Sequence, residues 1–286
     1  MHVFPFMLRL SFLCWLLVQA TSSWAIKPLA AWWAKPDTLG LNYQTLTLTT
    51  PDHAQLASWL VEPLAGVPDQ HTTMVVASGD WGNMSYSLYQ AQVLASGGYR
   101  VLLFDYRGFG HSSAFAIDRD HLYYEEFATD LRTALAEARR RSPRQRVGIV
   151  GFSMGTLLGA KVAAATRCDF LITDGYVGNL QGIVTYQLAA HQRHTNLPPG
   201  SATYNPLNPK VNCPWLFIGG TEDPQTPIAD SLAAVRAARP SQNRQLLAVQ
   251  CGHLGAMEKL TEKAYGDAYV RAVSQFLAGQ KVAGNG

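Results

Sequence analysis

The chain is short of charge. Of its 286 residues 15% are charged, 23 Lys and Arg against 20 Asp and Glu, for a formal net charge of +3. So small an excess does not supply the basic footprint that nucleic-acid binding requires, and no nucleic acid is expected as a partner. One basic run, Arg139, Arg140, Arg141, Arg144 and Arg146, falls at the end of an amphipathic helical pattern, where cations complement the helix dipole. Membrane-length apolar runs are missing near the N-terminus too: Leu10 to Val18 gives nine residues, against ~20 for a helix that crosses a bilayer. There is no internal repeat, no low-complexity segment and no sign of a second domain. His191 and His194 are spaced His-x-x-His but bring too few ligands for a metal, and no cofactor is expected.

The N-terminal residues have a pattern of their own. Arg9 precedes the apolar stretch, and Ser23-Trp24-Ala25 places small residues at the two positions that a signal peptidase reads. A signal peptide over residues 1–25, cleaved after Ala25, is predicted, with an exported (periplasmic or secreted) product and no membrane span after cleavage. An uncleaved anchor is the alternative. Of the four cysteines, Cys14 lies inside the apolar run without the small residues that lipid attachment needs. Cys168 and Cys213 each stand two residues before a strand-like run. If those strands are parallel neighbours, both thiols lie at one edge of the sheet, where an oxidising compartment would join them; the alternative is two small buried hydrophobes.

Residues 26–42, with Trp32, Trp33 and Pro36, show no periodicity and read as a leader packed on the surface. Two β-rich segments follow, Tyr43 to Thr50 and Gln55 to Glu62, joined as a hairpin by Pro51-Asp52-His53. From residue 73 onward short continuous apolar runs alternate with helical periods, the pattern of a parallel sheet buried on both faces. The fold class is therefore α/β: a mostly parallel twisted sheet of about eight strands, antiparallel at its N-terminal strands, with helices on both faces. In the helix predicted from Glu125 to Arg141, Phe127, Leu131, Leu135 and Ala138 recur at steps of three to four and make one buried stripe. The alternation stops between Asp174 and Cys213. That stretch predicts a small cap over residues 174–213, after the sixth strand, with a helix from Leu180 to His191. The catalytic domain is expected over 43–279 and a polar tail over 280–286.

The stretch Gly151-Phe152-Ser153-Met154-Gly155 ends an apolar run and opens a helix of small residues. A serine carried on so sharp a turn leaves room only for very small residues two places either side. Asp223 and His253 also sit just past strand ends, which in a parallel sheet all lie along one edge. A serine hydroxyl needs a base within hydrogen-bond reach, and the base needs a carboxylate to fix its tautomer. Among the eight histidines, His253 alone follows a strand late in the chain, whereas His111 follows a Gly-x-Gly turn.

With Leu39-Gly40-Leu41-Asn42-Tyr43, Phe104-Asp105-Tyr106-Arg107-Gly108-Phe109-Gly110-His111-Ser112, the Gly-x-Ser-x-Gly elbow, Gly219-Gly220-Thr221-Glu222-Asp223 with Pro227, and Gly252-His253, the sequence resembles the α/β-hydrolase superfamily over about residues 39 to 277. More narrowly it is similar to the small-capped serine hydrolases, the esterases and serine-aminopeptidase-like enzymes. The resemblance implies Ser153 as nucleophile, Asp223 as acid and His253 as base, with Asp174 as the rival acid. It also implies an oxyanion hole from the N–H groups of Met154 and Asp80, with Trp81 as the fallback. The loop that often begins His-Gly reads Ser78-Gly79-Asp80-Trp81-Gly82-Asn83 here, and a carboxylate beside a developing oxyanion is unfavourable unless it points away. The expected function is an exported, carboxylesterase-like serine hydrolase acting on a small-molecule or acyl substrate. The alternatives are a peptidase that binds a peptide amine through Glu222 or Asp80, an acyltransferase, and a non-catalytic binding protein that keeps the fold.

Overall fold

The computed structural model describes residues 25–282. The predicted targeting segment up to Trp24, and with it Cys14, lies outside the described residues, as does the end of the tail.

The strands are β1 (Lys27–Pro28), β2 (Tyr43–Thr49), β3 (Gln55–Val61), β4 (Thr72–Ala77), β5 (Trp81–Gly82), β6 (Arg100–Phe104), β7 (Arg146–Phe152), β8 (Leu171–Asp174), β9 (Trp215–Gly220) and β10 (Arg244–Val249). The helices are α1 (Leu88–Ser96), α2 (Glu125–Arg141), α3 (Met154–Ala165), α4 (Leu180–His191), α5 (Ile228–Arg236), α6 (Ala256–Lys259) and α7 (Asp267–Leu277). Eight strands form one sheet in the order β10-β9-β8-β7-β4-β6-β3-β2, and β1 and β5 form a separate pair. The β2–β3 and β3–β6 pairs are antiparallel and the others parallel. This is the α/β-hydrolase arrangement.

Strand residues alternate between two cores, as the two-residue period of a strand requires. Val75 and Ala77 of β4 join Phe127, Leu131 and Leu135 of α2 and Leu157 and Leu158 of α3 on one face. Met74 and Val76 meet Leu88 and Ala91 of α1 and Tyr269 and Val273 of α7 on the other. Both faces being covered is why the central strands read as unbroken apolar runs. Each fully buried Leu, Val or Phe here contributes about 1.5–3 kcal/mol.

Four details differ from the expectations. Helix α1 is preceded by a 3-10 turn, Met84–Ser87, that the sequence pattern did not mark and whose start is capped by the Asn83 side chain. The leader does more than pack on the surface: Ile26 is fully buried, and β1 pairs with β5. The turn at Pro51-Asp52-His53 carries an ion pair from Asp52 to Arg107. Cys168 and Cys213 stand just before the neighbouring strands β8 and β9, but both are free thiols, with the Cys168 thiol donating to the Phe170 carbonyl at 2.9 Å. Among the described residues no helix is long and apolar enough to cross a membrane. At the end of α2 the arginines are engaged, Arg139 with Asp169 and both Arg140 and Arg141 with Glu137.

Candidate active site

Ser153 occupies the turn between β7 and α3 with φ 50° and ψ −118°, a left-handed conformation that a non-glycine residue adopts only under constraint. The constraint comes from its surroundings. A Cβ at Gly151 would stand 2.6 Å from the Gly155 carbonyl oxygen, and one at Gly155 would overlap the carbonyl of Ala77 in the adjacent strand. The Ser153 N–H donates to the Asp174 carbonyl at 3.1 Å, and its own carbonyl accepts from the Thr156 hydroxyl at 2.7 Å. The elbow is thus tied to β4, β8 and its own helix.

The loops after β9 and β10 bring the other two residues to the same point. They are stapled together by Thr221 N–H to Val249 O at 2.8 Å and Glu222 N–H to Cys251 O at 3.0 Å. His253 Nδ1 lies 2.8 Å from Asp223 Oδ2, and His253 Nε2 lies 3.0 Å from Ser153 Oγ. An ionised carboxylate only accepts, so Nδ1 carries the proton and Nε2 accepts from the serine hydroxyl. Asp223 is saturated with donors: Gln225 N–H at 2.9 Å and Thr226 N–H at 3.0 Å on one oxygen, and the Thr226 hydroxyl on the other. Burial pushes this carboxyl up, but the bonds from His253 and Thr226 outweigh it and hold it below its ordinary value.

Asp174, the rival acid, is 2% exposed at the end of β8 and gives its backbone carbonyl to Ser153. Burial pushes its carboxyl up to about 7, against the opposing pull of Tyr269 and His253. A group held that high is a poor partner for an imidazolium, and the bond to His253 belongs to Asp223.

Asp80 and Met154, the predicted oxyanion donors, both line a closed cavity of about 20 Å³ beside Ser153. Gly79 brings the loop against the nucleophile, since a Cβ placed there would lie 3.7 Å from the Ser153 Cβ. Burial pushes the Asp80 carboxyl up, against the opposing pull of His253 and Arg193. Trp81, the fallback, is 49% exposed.

The loop is held from outside by residues that the sequence did not single out. Lys27 N–H donates to Asp80 O at 2.8 Å and Leu29 N–H to Gly82 O at 2.9 Å. The Asn83 side-chain amide donates to the carbonyls of Leu29 and Ala31 at 2.9 and 2.8 Å. Asp105, from the motif after β6, accepts from Trp32 Nε1 at 2.8 Å and from Met84 N–H at 2.7 Å. His111 stacks on Trp32 at 3.7 Å, in a structural role.

Two spaces meet at Ser153. Ala25, Leu122, Leu157, Val177 and Ile183 wall the small cavity, with Gln187, Arg193 and Gln225 at its junction with the cleft. A wide cleft of about 660 Å³ runs past Ser153 and His253 between the Asp80 loop and the cap residues Gln187, His191 and Arg193. Glu222 lies in a separate groove with Leu247 and Lys259. Among the described residues no group of three or more His, Cys, Asp or Glu is placed to hold a metal ion.

The arrangement has relatives. A family model described as alpha/beta hydrolase fold matches residues 73–176. An uncharacterized membrane protein of Saccharomyces cerevisiae is 23% identical over 225 residues, covering 76% of this chain and 75% of its own. An esterase of Pyrococcus furiosus superposes with a TM-score of 0.72 at 18% identity, over 89% of this chain and 98% of that one. An acylaminoacyl peptidase of Pyrococcus horikoshii does so with a TM-score of 0.57 at 16% identity, over 83% of this chain and 41% of that one. With the family model spanning β4 through the elbow to Tyr176 and solved structures superposing on most of the chain, this chain has the α/β-hydrolase fold.

Proposed function

We propose that the chain is a serine hydrolase that cleaves a carboxylic ester through an acyl-enzyme. The observation that carries this reading is the line Ser153 Oγ, His253, Asp223, with bonds of 3.0 and 2.8 Å, on a serine held at φ 50°. Ser153 Oγ attacks the ester carbonyl while its proton passes to His253 Nε2. The resulting imidazolium is stabilised by Asp223, and the oxyanion by the N–H groups of Met154 and Asp80. Collapse of the tetrahedral intermediate breaks the bond to the alcohol, which leaves with the proton from His253. A water molecule then gives a proton to His253 and attacks the acyl carbon, releasing the acid and restoring the serine.

The small cavity takes the acyl group. At about 20 Å³, against ~10–15 Å³ for one water on the same measure, it suits short acyl chains. The wide cleft takes the alcohol. Of the two carboxylates that the aminopeptidase reading would use, Glu222 lines a separate groove and Asp80 lines the cleft. Turnover of p-nitrophenyl esters from acetate to a long acyl chain tests the assignment. The optimum is expected at two to about four carbons, with activity absent in Ser153→Ala; no turnover of any ester by the wild type would overturn it. Export, with cleavage after Ala25, is part of the same proposal and is supported by the sequence pattern of the first 25 residues; the mature cavity then lacks Ala25 and keeps its other walls.

A further inference from the structure

The cleft carries two cations that nothing in the hydrolysis scheme uses. Lys27, from the leader, and Arg193, just past the cap helix, line it together with Ser153, and Arg193 and Gln187 stand where the cleft meets the small cavity. Neither makes an ion pair or side-chain hydrogen bond among the described residues. Arg193 is the more telling of the two. Its Nε is buried without a hydrogen-bond partner, and on the same wall Gln187 Oε1 is buried without one, although Gln187 as a whole is 5% exposed. A guanidinium donor and an amide acceptor left without partners beside a nucleophile are costly in the empty protein, at about 1–3 kcal/mol per unmet group. They are what a polar ligand would satisfy.

The remaining charges in the cleft fix the sign of that ligand. Asp80 is the carboxylate that shares these walls with Arg193 and Lys27. Two cations to one carboxylate leave the cleft with an excess of one positive charge. The closed cavity is too small to take a charged acyl chain together with its hydration.

We infer that the natural substrate is a short-chain acyl ester whose alcohol portion carries a carboxylate, received between Arg193 on the cap and Lys27 on the leader. A carboxylate is favoured over a phosphate dianion because the two cations share the space with Asp80, leaving room for one negative charge. Arg193 and Lys27 are specificity-determining residues in this account: they bind the leaving half of the substrate and take no part in the proton transfers. The inference rests on the ester-hydrolase reading.

The test compares phenyl acetate with 3-carboxyphenyl acetate, each followed by acid release, in the wild type, Arg193→Gln, Arg193→Lys and Lys27→Gln. The ratio of the two kcat/KM values is taken within each protein, so that general loss of activity cancels. Wild type is expected to favour the carboxylated ester by about tenfold or more, the size of one charge-assisted hydrogen bond. The ratio should fall toward one in Arg193→Gln, fall less in Lys27→Gln, recover in part in Arg193→Lys, and shrink as salt is raised. A wild-type ratio of one or below, or a ratio that neither neutral substitution changes, overturns the inference. Calorimetric binding of 3-hydroxybenzoate against phenol to Ser153→Ala reads the same pocket without turnover. Selective binding of the carboxylate with no hydrolysis of either ester would keep the site and remove the hydrolase reading; equal binding of the two would remove the site.

Discussion

The backbone N–H of Lys27 donates to the carbonyl of Asp80 at 2.8 Å, so a residue of the leader holds the loop that lines the small cavity beside Ser153. Asn83 completes the clasp by bridging Leu29 and Ala31. An oxyanion donor acts only when it is already aimed at the charge it will meet. Asn83→Ala, which removes both bridges, is expected to lower kcat about tenfold or more with little change in KM, since loop position matters in the transition state. Steady-state kinetics beside a thermal melt check this; an unchanged kcat would show the clasp to be structural only.

Asp223 and Asp174 differ in what surrounds them. Asp223→Asn is expected to cost roughly 10³–10⁴ in kcat, because the neutral amide no longer fixes the imidazole tautomer. Asp174→Asn should leave kcat within a few-fold. The reverse order would make Asp174 the acid.

Asp174 also predicts a pH effect on stability. Its folded value of about 7 stands above the ordinary 3.8, so its contribution is fully present below about pH 4 and is lost as pH rises through 7. The loss is on the order of 4 kcal/mol. Urea unfolding at pH 5 and pH 8 should show a smaller difference for Asp174→Asn than for wild type. An identical difference in both proteins would exclude a raised Asp174.

Arg107 is buried between Asp52 and Asp130, and Asp130 is fully buried. Arg107→Ala strands the Asp130 charge and should cost about 3–5 kcal/mol, whereas Asp52→Asn, at a half-exposed partner, should cost about 1 kcal/mol or less. Chemical denaturation of both variants measures the contrast.

Cys168 and Cys213 sit just before the adjacent strands β8 and β9 as free thiols. Oxidation in vitro is expected to join them with the loss of two hydrogens in mass and no change in ester turnover, since both lie at the sheet edge opposite Ser153. Mass spectrometry of the unreduced protein that finds both thiols alkylatable after oxidation would exclude the bond.

Much of this site was legible in the sequence, for local reasons. Ser153, Asp223 and His253 each follow an apolar run that has to be a buried strand, and strand ends of a parallel sheet converge. Gly151 and Gly155 mark the elbow because a Cβ has no room there. The α2 stripe was readable from its period, and the cap from the length of the stretch between Asp174 and Cys213. What stayed hidden depends on contacts distant in sequence. β1 is two residues long and shows no period, so its pairing with Trp81 and Gly82 left no trace. Asp52 looked like a turn residue until Arg107, 55 positions away, gave it a partner. Arg193 had no motif to mark it. Thr226, three residues after Asp223, carried a faint signal, since a hydroxyl so close to a catalytic carboxylate is placed to hydrogen-bond it.

Labelling with a fluorophosphonate, read by intact mass, tests the activated serine most directly. Wild type is predicted to gain one phosphonyl group on Ser153, His253→Ala to react far more slowly, and Ser153→Ala to remain unlabelled. An unlabelled wild type, or equal labelling of Ser153→Ala, would contradict the assignment of Ser153 as the nucleophile.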